Sequence, residues 1–281
     1  MRGILIIALA GLLATSVPAQ GRSGPVSETV PFELYKGHIF VSAYVNGKGP
    51  YRFGFDTGAS GDGRADLSLA QALSLPIAGQ RETSDGIKTA TAQLVSVKSL
   101  RLGPIKKHDL QILSRDYNGH SGDAHAIMGI IGRDFIADWL VTIDYPRRTI
   151  RFRHGHLREG DAGVVAYGPS FSIPVCFESG CFPGKVDTGS SRSIVVPADL
   201  ASRLSATAPV EIGQAKRMNS SARLYRMSLK EPVRIAGVKV EGQEVLYADP
   251  SDTTINVGSD FLKDYVLTVD QQRQLLSIRR P

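Results

Sequence analysis

The 281-residue chain is 42% hydrophobic and 21% charged, with 29 Gly and 15 Pro, a balance that excludes a disordered chain, a collagen-like repeat and a disulfide-dense mini-scaffold. A formal charge of +6, from 33 basic and 27 acidic residues, is too small for a nucleic-acid footprint. No Lys/Arg block with interleaved aromatics occurs, so no nucleic-acid partner is expected. The length suits one large domain or two small ones.

Met1-Arg2-Gly3 is a short basic start, Ile4 to Leu13 is almost wholly apolar, and small residues run up to Ala19. This pattern predicts a secretory signal peptide over residues 1–19, cut after Ala19. An apolar run of about ten residues is too short for a bilayer that needs ~20. No later run approaches that length, and no Cys follows the apolar region. The mature chain is therefore expected in a periplasmic or extracellular compartment, without membrane insertion after signal cleavage.

From Phe40 to Phe55 two alternating apolar runs flank Asn46-Gly47, a β-hairpin signal. Asp56-Thr57-Gly58-Ala59-Ser60 follows directly. Helical apolar spacing appears between Leu67 and Leu75, and short strands return from Arg81 to Leu113, broken by Asp85-Gly86 and Gly103-Pro104. Next come Ile130-Ile131-Gly132-Arg133-Asp134-Phe135 and two strands, Val141 to Asp144 and Thr149 to Phe152, joined at Tyr145-Pro146. A polar, Gly-rich stretch over residues 154–163 reads as a linker.

The same order then recurs. A hairpin from Phe171 to Val186 leads into Asp187-Thr188-Gly189-Ser190-Ser191, then a helical stretch from Pro197 to Leu204 and short strands from Tyr225 to Leu246. Val257-Gly258-Ser259-Asp260-Phe261 and a final strand pair close the chain. The two Asp-Thr-Gly units lie 131 residues apart and the two Gly-x-Asp-Phe units 126 apart. Near-equal offsets in independent motifs indicate a duplication, hence an N-terminal lobe over 20–153 and a C-terminal lobe over 164–281.

Cys176 and Cys181 are the only cysteines. They frame Phe-Glu-Ser-Gly between two strand-like runs, so a disulfide across a hairpin is favoured, with about 2 kcal/mol of chain-entropy stabilisation. The alternatives are metal binding or a nucleophilic Cys, but no second ligand pair and no His lies near them in sequence. The pairs His154/His156 and His120/His125 sit in Gly-rich stretches without the spacing of a helical zinc motif. No metal site and no cofactor is expected. Trp139 is expected in the core.

A lone Asp-Thr-Gly is usually a surface turn, since Asp and Gly both favour turns. Two copies, each after an apolar strand end and each followed by a small residue and Ser, resemble the aspartic peptidases, in particular the bacterial retropepsin-like type with two lobes in one chain. The resemblance spans nearly the whole mature chain. It implies an all-β fold of two similar pepsin/retropepsin-like β-barrel lobes with the active site at their interface. It further implies that Asp56 and Asp187 are the catalytic pair, sharing one proton so that one acts as base and the other as acid. Paired carboxylates that cannot both ionise share a proton in this way.

The resemblance assigns support of the catalytic loops to Thr57, Gly58, Thr188, Gly189 and Ser190. The threonines would bond into the opposite loop, the glycines would donate amides, and a hydroxyl after the glycine would bond its own aspartate. Ala59 lacks that hydroxyl, which points to a mildly acidic optimum. Asn256 departs from the family's pattern of two apolar residues before Gly, and the presumed flap, Thr83 to Lys88, lacks the Tyr of pepsins. The expected partner is a peptide or protein substrate in the inter-lobe cleft of a monomer. The rival readings are a non-catalytic peptide- or cell-wall-binding protein that retains this fold, and an interaction module whose lobes pair with another copy.

Overall fold

The computed structural model describes residues 27–84, 88–119, 125–216, 220–242, 244–251 and 253–281. The expected signal peptide 1–19, residues 85–87 of the expected flap, and His120 lie outside them. Almost every element is a strand, as the alternating sequence pattern predicts.

The first hairpin pairs His38–Val45 with Lys48–Phe55. Asn46 and Gly47 both take positive φ, 52° and 77°, the turn geometry whose twist matches that of the flanking strands. Alternation then buries Ile39, Val41, Ala43 and Val45 on one face. In the second half Ser172–Phe177 pairs with Gly180–Asp187. Cys176 stands opposite Cys181, and a disulfide joins them with Cα atoms 4.0 Å apart. Each hairpin delivers its second strand to an Asp-Thr-Gly loop.

What happens next repeats in both halves. Gly129–Ile131 runs parallel to Lys48–Phe55 and antiparallel to Gly63–Asp66, so the Asp56 loop bridges two strands that flank a third. Ile255–Gly258 runs parallel to Gly180–Asp187 and antiparallel to Ile194–Val196, which places the Asp187 loop in the same way. A short helix follows in each half. Leu67–Ala72 is capped by Asp66, which accepts from Ser68 N at 2.9 Å, and Ala198–Leu204 begins after Pro197.

The first half builds an eight-stranded sheet and the second a nine-stranded one. A third sheet, of six strands, belongs to both halves. Its order is Ser27–Pro31, Thr149–Arg153, Leu140–Asp144, Val266–Asp270, Leu275–Arg279 and Val164–Ala166. At its seam Thr142 lies opposite Thr268 with hydroxyls 3.1 Å apart. These two threonines occupy equivalent places in the repeat, so the pseudo-twofold relation passes between them. One continuous apolar cluster reaches from Phe53 and Phe135 through Ile143 to Leu267 and Ile278.

Residues 154–163 carry no strand or helix and are tied down at one end. His154 stacks on Trp139, with ring centres 4.5 Å apart. The buried Asp270 carboxylate accepts from Leu157 N at 2.9 Å and lies 3.1 Å from His156 Nδ1. Trp139 is partly buried, edge-on to Phe152.

Candidate active site

The two Asp-Thr-Gly loops meet at the lobe interface, and side chain-to-backbone bonds cross between them in both directions. Thr57 N donates to Thr188 Oγ1 and Thr188 N to Thr57 Oγ1, each at 3.0 Å. The hydroxyls in turn donate to the strand ends before the opposite aspartate. Thr57 Oγ1 reaches Val186 O at 3.1 Å, and Thr188 Oγ1 reaches Phe55 O at 3.0 Å. Both threonines are buried, and each hydroxyl is matched as donor and acceptor, so the loops hold one relative position.

The glycines face the opposite carboxylates. A Cβ on Gly58 would lie 2.5 Å from Asp187 Oδ1, and one on Gly189 would overlap the Asp56 carboxylate. Any side chain at either place would drive the carboxylates apart. Backbone amides then orient the acids. Ala59 N donates to Asp56 Oδ1 at 3.0 Å and Gly189 N to Asp187 Oδ1 at 2.9 Å, with the Gly58 backbone also bonding Asp56.

A second contact braces the loops from below. Tyr145, from the first half, holds its hydroxyl 2.8 Å from Ser259 Oγ, and Ser259 Oγ donates to Thr188 O at 3.0 Å. Burial pushes the Tyr145 phenol up, so it stays a donor.

Residues 41–135, which contain the Asp56 loop, match the family model described as Aspartyl protease. That stretch of the chain is similar to the aspartyl proteases. The crystal structure of the aspartic proteinase from Irpex lacteus shares its fold, with a TM-score of 0.58 at 13% identity over 91% of this chain and 97% of that one. No curated protein matches in sequence.

At this interface Asp56 is pushed up to about 7, first by burial and then by the charge of Asp187, partly offset by buried Arg64 and the two backbone amides. Asp187 receives a donor with no counterpart in the first lobe, since Asn256 Nδ2 lies 2.9 Å from Asp187 Oδ2. The equivalent first-lobe residue is Ile130. Asn256 stands in register with Lys185 on the adjacent parallel strand, two residues before Asp187, so its side chain emerges on the same face as the carboxylate.

One expectation is corrected here. The Ser190 hydroxyl does not bond Asp187. It accepts from Arg192 N at 3.4 Å, while the Asn256 amide takes Asp187 Oδ2. The Asn side chain projects from a strand directly beside the acid, whereas Ser190 lies past the turn.

Other residues around the acids carried little signal in the sequence. His38 opens the strand after Gly37 and bonds the Gly189 backbone. Its imidazole is lowered by burial, with Asp187 acting in the opposite sense. Arg133 follows the first apolar-Gly segment and donates to Gly58 O at 3.2 Å. A cleft of about 620 Å³ holds both aspartates. A separate pocket of about 350 Å³ opens beside Asp56, with Phe40, Phe55, Ile127 and Ile130 among its walls. His125 lines the same pocket and stacks on Tyr35, centres 3.8 Å apart. Among the described residues no group of three His, Cys, Asp or Glu side chains converges in a way that could hold a metal ion.

Proposed function

We propose that this chain is an exported endopeptidase in which Asp56 and Asp187 together activate a water against a peptide carbonyl. The observation that carries the reading is the two-way bonding of Thr57 and Thr188, which sets two carboxylates level across the interface with only glycine hydrogens between each and the opposite loop.

Like charges held this close favour a single shared proton. Its place follows from the surroundings. Asp187 receives the Gly189 amide on one carboxylate oxygen and the Asn256 amide on the other. Asp56 is the acid whose burial favours the protonated form. The Asp187 carboxylate takes a proton from the water as its oxygen bonds to the peptide carbon. Asp56 gives its proton to the carbonyl oxygen, forming a tetrahedral diol. Asp187 then protonates the nitrogen, a diol hydroxyl returns its proton to Asp56, and the carbon–nitrogen bond breaks. The products are one carboxylic acid and one amine, and the dyad regains its starting state.

Export rests on the basic-apolar-small pattern of residues 1–19 and on the Cys176–Cys181 disulfide, a bond typical of oxidising compartments. No helix among the described residues is long and apolar enough to cross a membrane. The departure at Asn256 does not weigh against catalysis, since its amide donates to Asp187 without displacing it, which favours the peptidase over the non-catalytic rival.

Digestion of denatured casein and of a peptide library, with and without a statine-type inhibitor, tests the reading. Inhibitor-sensitive cleavage is expected from the wild type and none from Asp56→Asn or Asp187→Asn. Full activity in the Asp187→Asn protein would falsify the shared site.

A further inference from the structure

The repeat equivalence places Gly54 and Ile130 of the first lobe where the second lobe has Lys185 and Asn256. Both pairs are neighbours in register on parallel strands, Gly54 with Ile130 and Lys185 with Asn256. Each lies on the face that carries its aspartate two residues on. The first-lobe pair opens the apolar pocket beside Asp56. The second-lobe pair forms a polar wall beside Asp187, in the cleft that also receives Arg192.

That wall is cationic. Among the described residues lining the cleft, Asp56 and Asp187 are the only carboxylates, against Arg64, Arg133, Lys185 and Arg192. Arg64 and Arg133 have partners within the protein. Lys185 and Arg192 pair with no carboxylate among the described residues, and Lys185 is exposed to the cleft. Asn256 Oδ1 is buried without a partner among the described residues.

Building on the peptidase reading, we infer that the substrate is a peptide with an apolar residue in the pocket beside Asp56 and an acidic residue against Lys185 and Arg192, on opposite sides of the scissile bond. An Asp or Glu side chain is ionised above about pH 4.3, and Lys and Arg remain charged throughout the range in which the dyad can hold one proton. Substrate and subsite are therefore both charged under the same conditions.

The test uses peptides that carry one Leu and differ only in the residue following or preceding it, namely Glu, Gln or Lys. Mass spectrometry locates the cut. At pH 6 and low salt the wild type is expected to cleave the Leu/Glu peptide about tenfold faster in kcat/KM than its Gln isostere, with the Lys peptide slowest. The preference should fade in high salt and below about pH 4. Lys185→Glu should move the preference from the Glu to the Lys peptide, and Lys185→Gln should flatten it. Equal cleavage of Glu and Gln peptides by the wild type, or an unchanged preference in Lys185→Glu, overturns the subsite.

Should no peptide be cut, the peptidase reading fails, but the subsite remains testable. The same series with the Leu bond reduced to a methylene-amine is then titrated by calorimetry. Tighter binding of the Glu member that is lost in Lys185→Glu supports the subsite, and equal binding overturns it.

Discussion

Asn256 Nδ2 lies 2.9 Å from Asp187 Oδ2, whereas its first-lobe equivalent, Ile130, offers Asp56 no donor. The two acids of a duplicated site are thereby made unequal. Replacing Asn256 with Ile, the residue of the other lobe, removes one hydrogen bond to the Asp187 carboxylate, worth roughly 1.5–3 kcal/mol when charge-assisted, so kcat should fall about tenfold or more while KM changes little. Asn256→Gln or Asn256→Ser should recover part of kcat. An unchanged kcat in Asn256→Ile removes this role.

Asp56 carries the alkaline side. Its carboxyl is raised from 3.8 to about 7 by burial and by Asp187, so kcat/KM should fall as pH rises through about 7, where the shared proton is lost. Stability follows the same sign. The folded protein binds this proton more tightly than the unfolded chain, so the contribution is fully present below about 3.8 and lost as pH rises through about 7. At about 1.4 kcal/mol per unit over about three units, the loss is on the order of 4 kcal/mol. Asp56→Asn cannot ionise and should melt higher than wild type at pH 8 but not at pH 4. Melting scans at both pH values decide it.

Thr57 and Thr188 test the coupling of the loops. Thr57→Val deletes the acceptor for Thr188 N and the donor to Val186 O, leaving two buried polar groups unpaired. A cost of about 2–4 kcal/mol is expected in urea denaturation, with Thr57→Ser near wild type. Because the two threonines form one network, Thr57→Val and Thr188→Val together should cost less than their sum. Strict additivity would mean the loops are held independently.

The disulfide should matter for stability and not for chemistry. Cys181 sits six residues before Asp187 on the same strand, about 20 Å away at strand rise. Reduction, or Cys176→Ala with Cys181→Ala, should lower stability by about 2 kcal/mol while kcat stays within twofold. Loss of turnover at temperatures where the reduced protein is still folded would show that the hairpin positions the acid.

Much of this architecture is visible in the residues. Period-two alternation and Asn46-Gly47 place the first hairpin, the spacing of Cys176 and Cys181 anticipates their bond, and the repeated Asp-Thr-Gly marks both acids. These are short-range signals, set by side-chain direction along a strand and by the φ that each turn residue tolerates. Resemblance to a family supplied the roles of Thr57 and Thr188.

Other features depend on which strands become neighbours. The six-stranded sheet, with Thr142 against Thr268, arises because strands from both halves bury their apolar faces in one cluster, a result of packing that no local pattern encodes. The same holds at the site. Ser190 follows its aspartate in the sequence yet turns to the Arg192 amide, while Asn256, 69 positions from Asp187, reaches the carboxylate. A hydrogen bond is decided by distance and direction in space, and parallel pairing of Ile255–Gly258 with Gly180–Asp187 sets both. Lys185 follows the same rule. In the sequence it is one of many basic residues, and only its place beside Asn256, where the other lobe has Gly54 and Ile130, makes it part of the cleft.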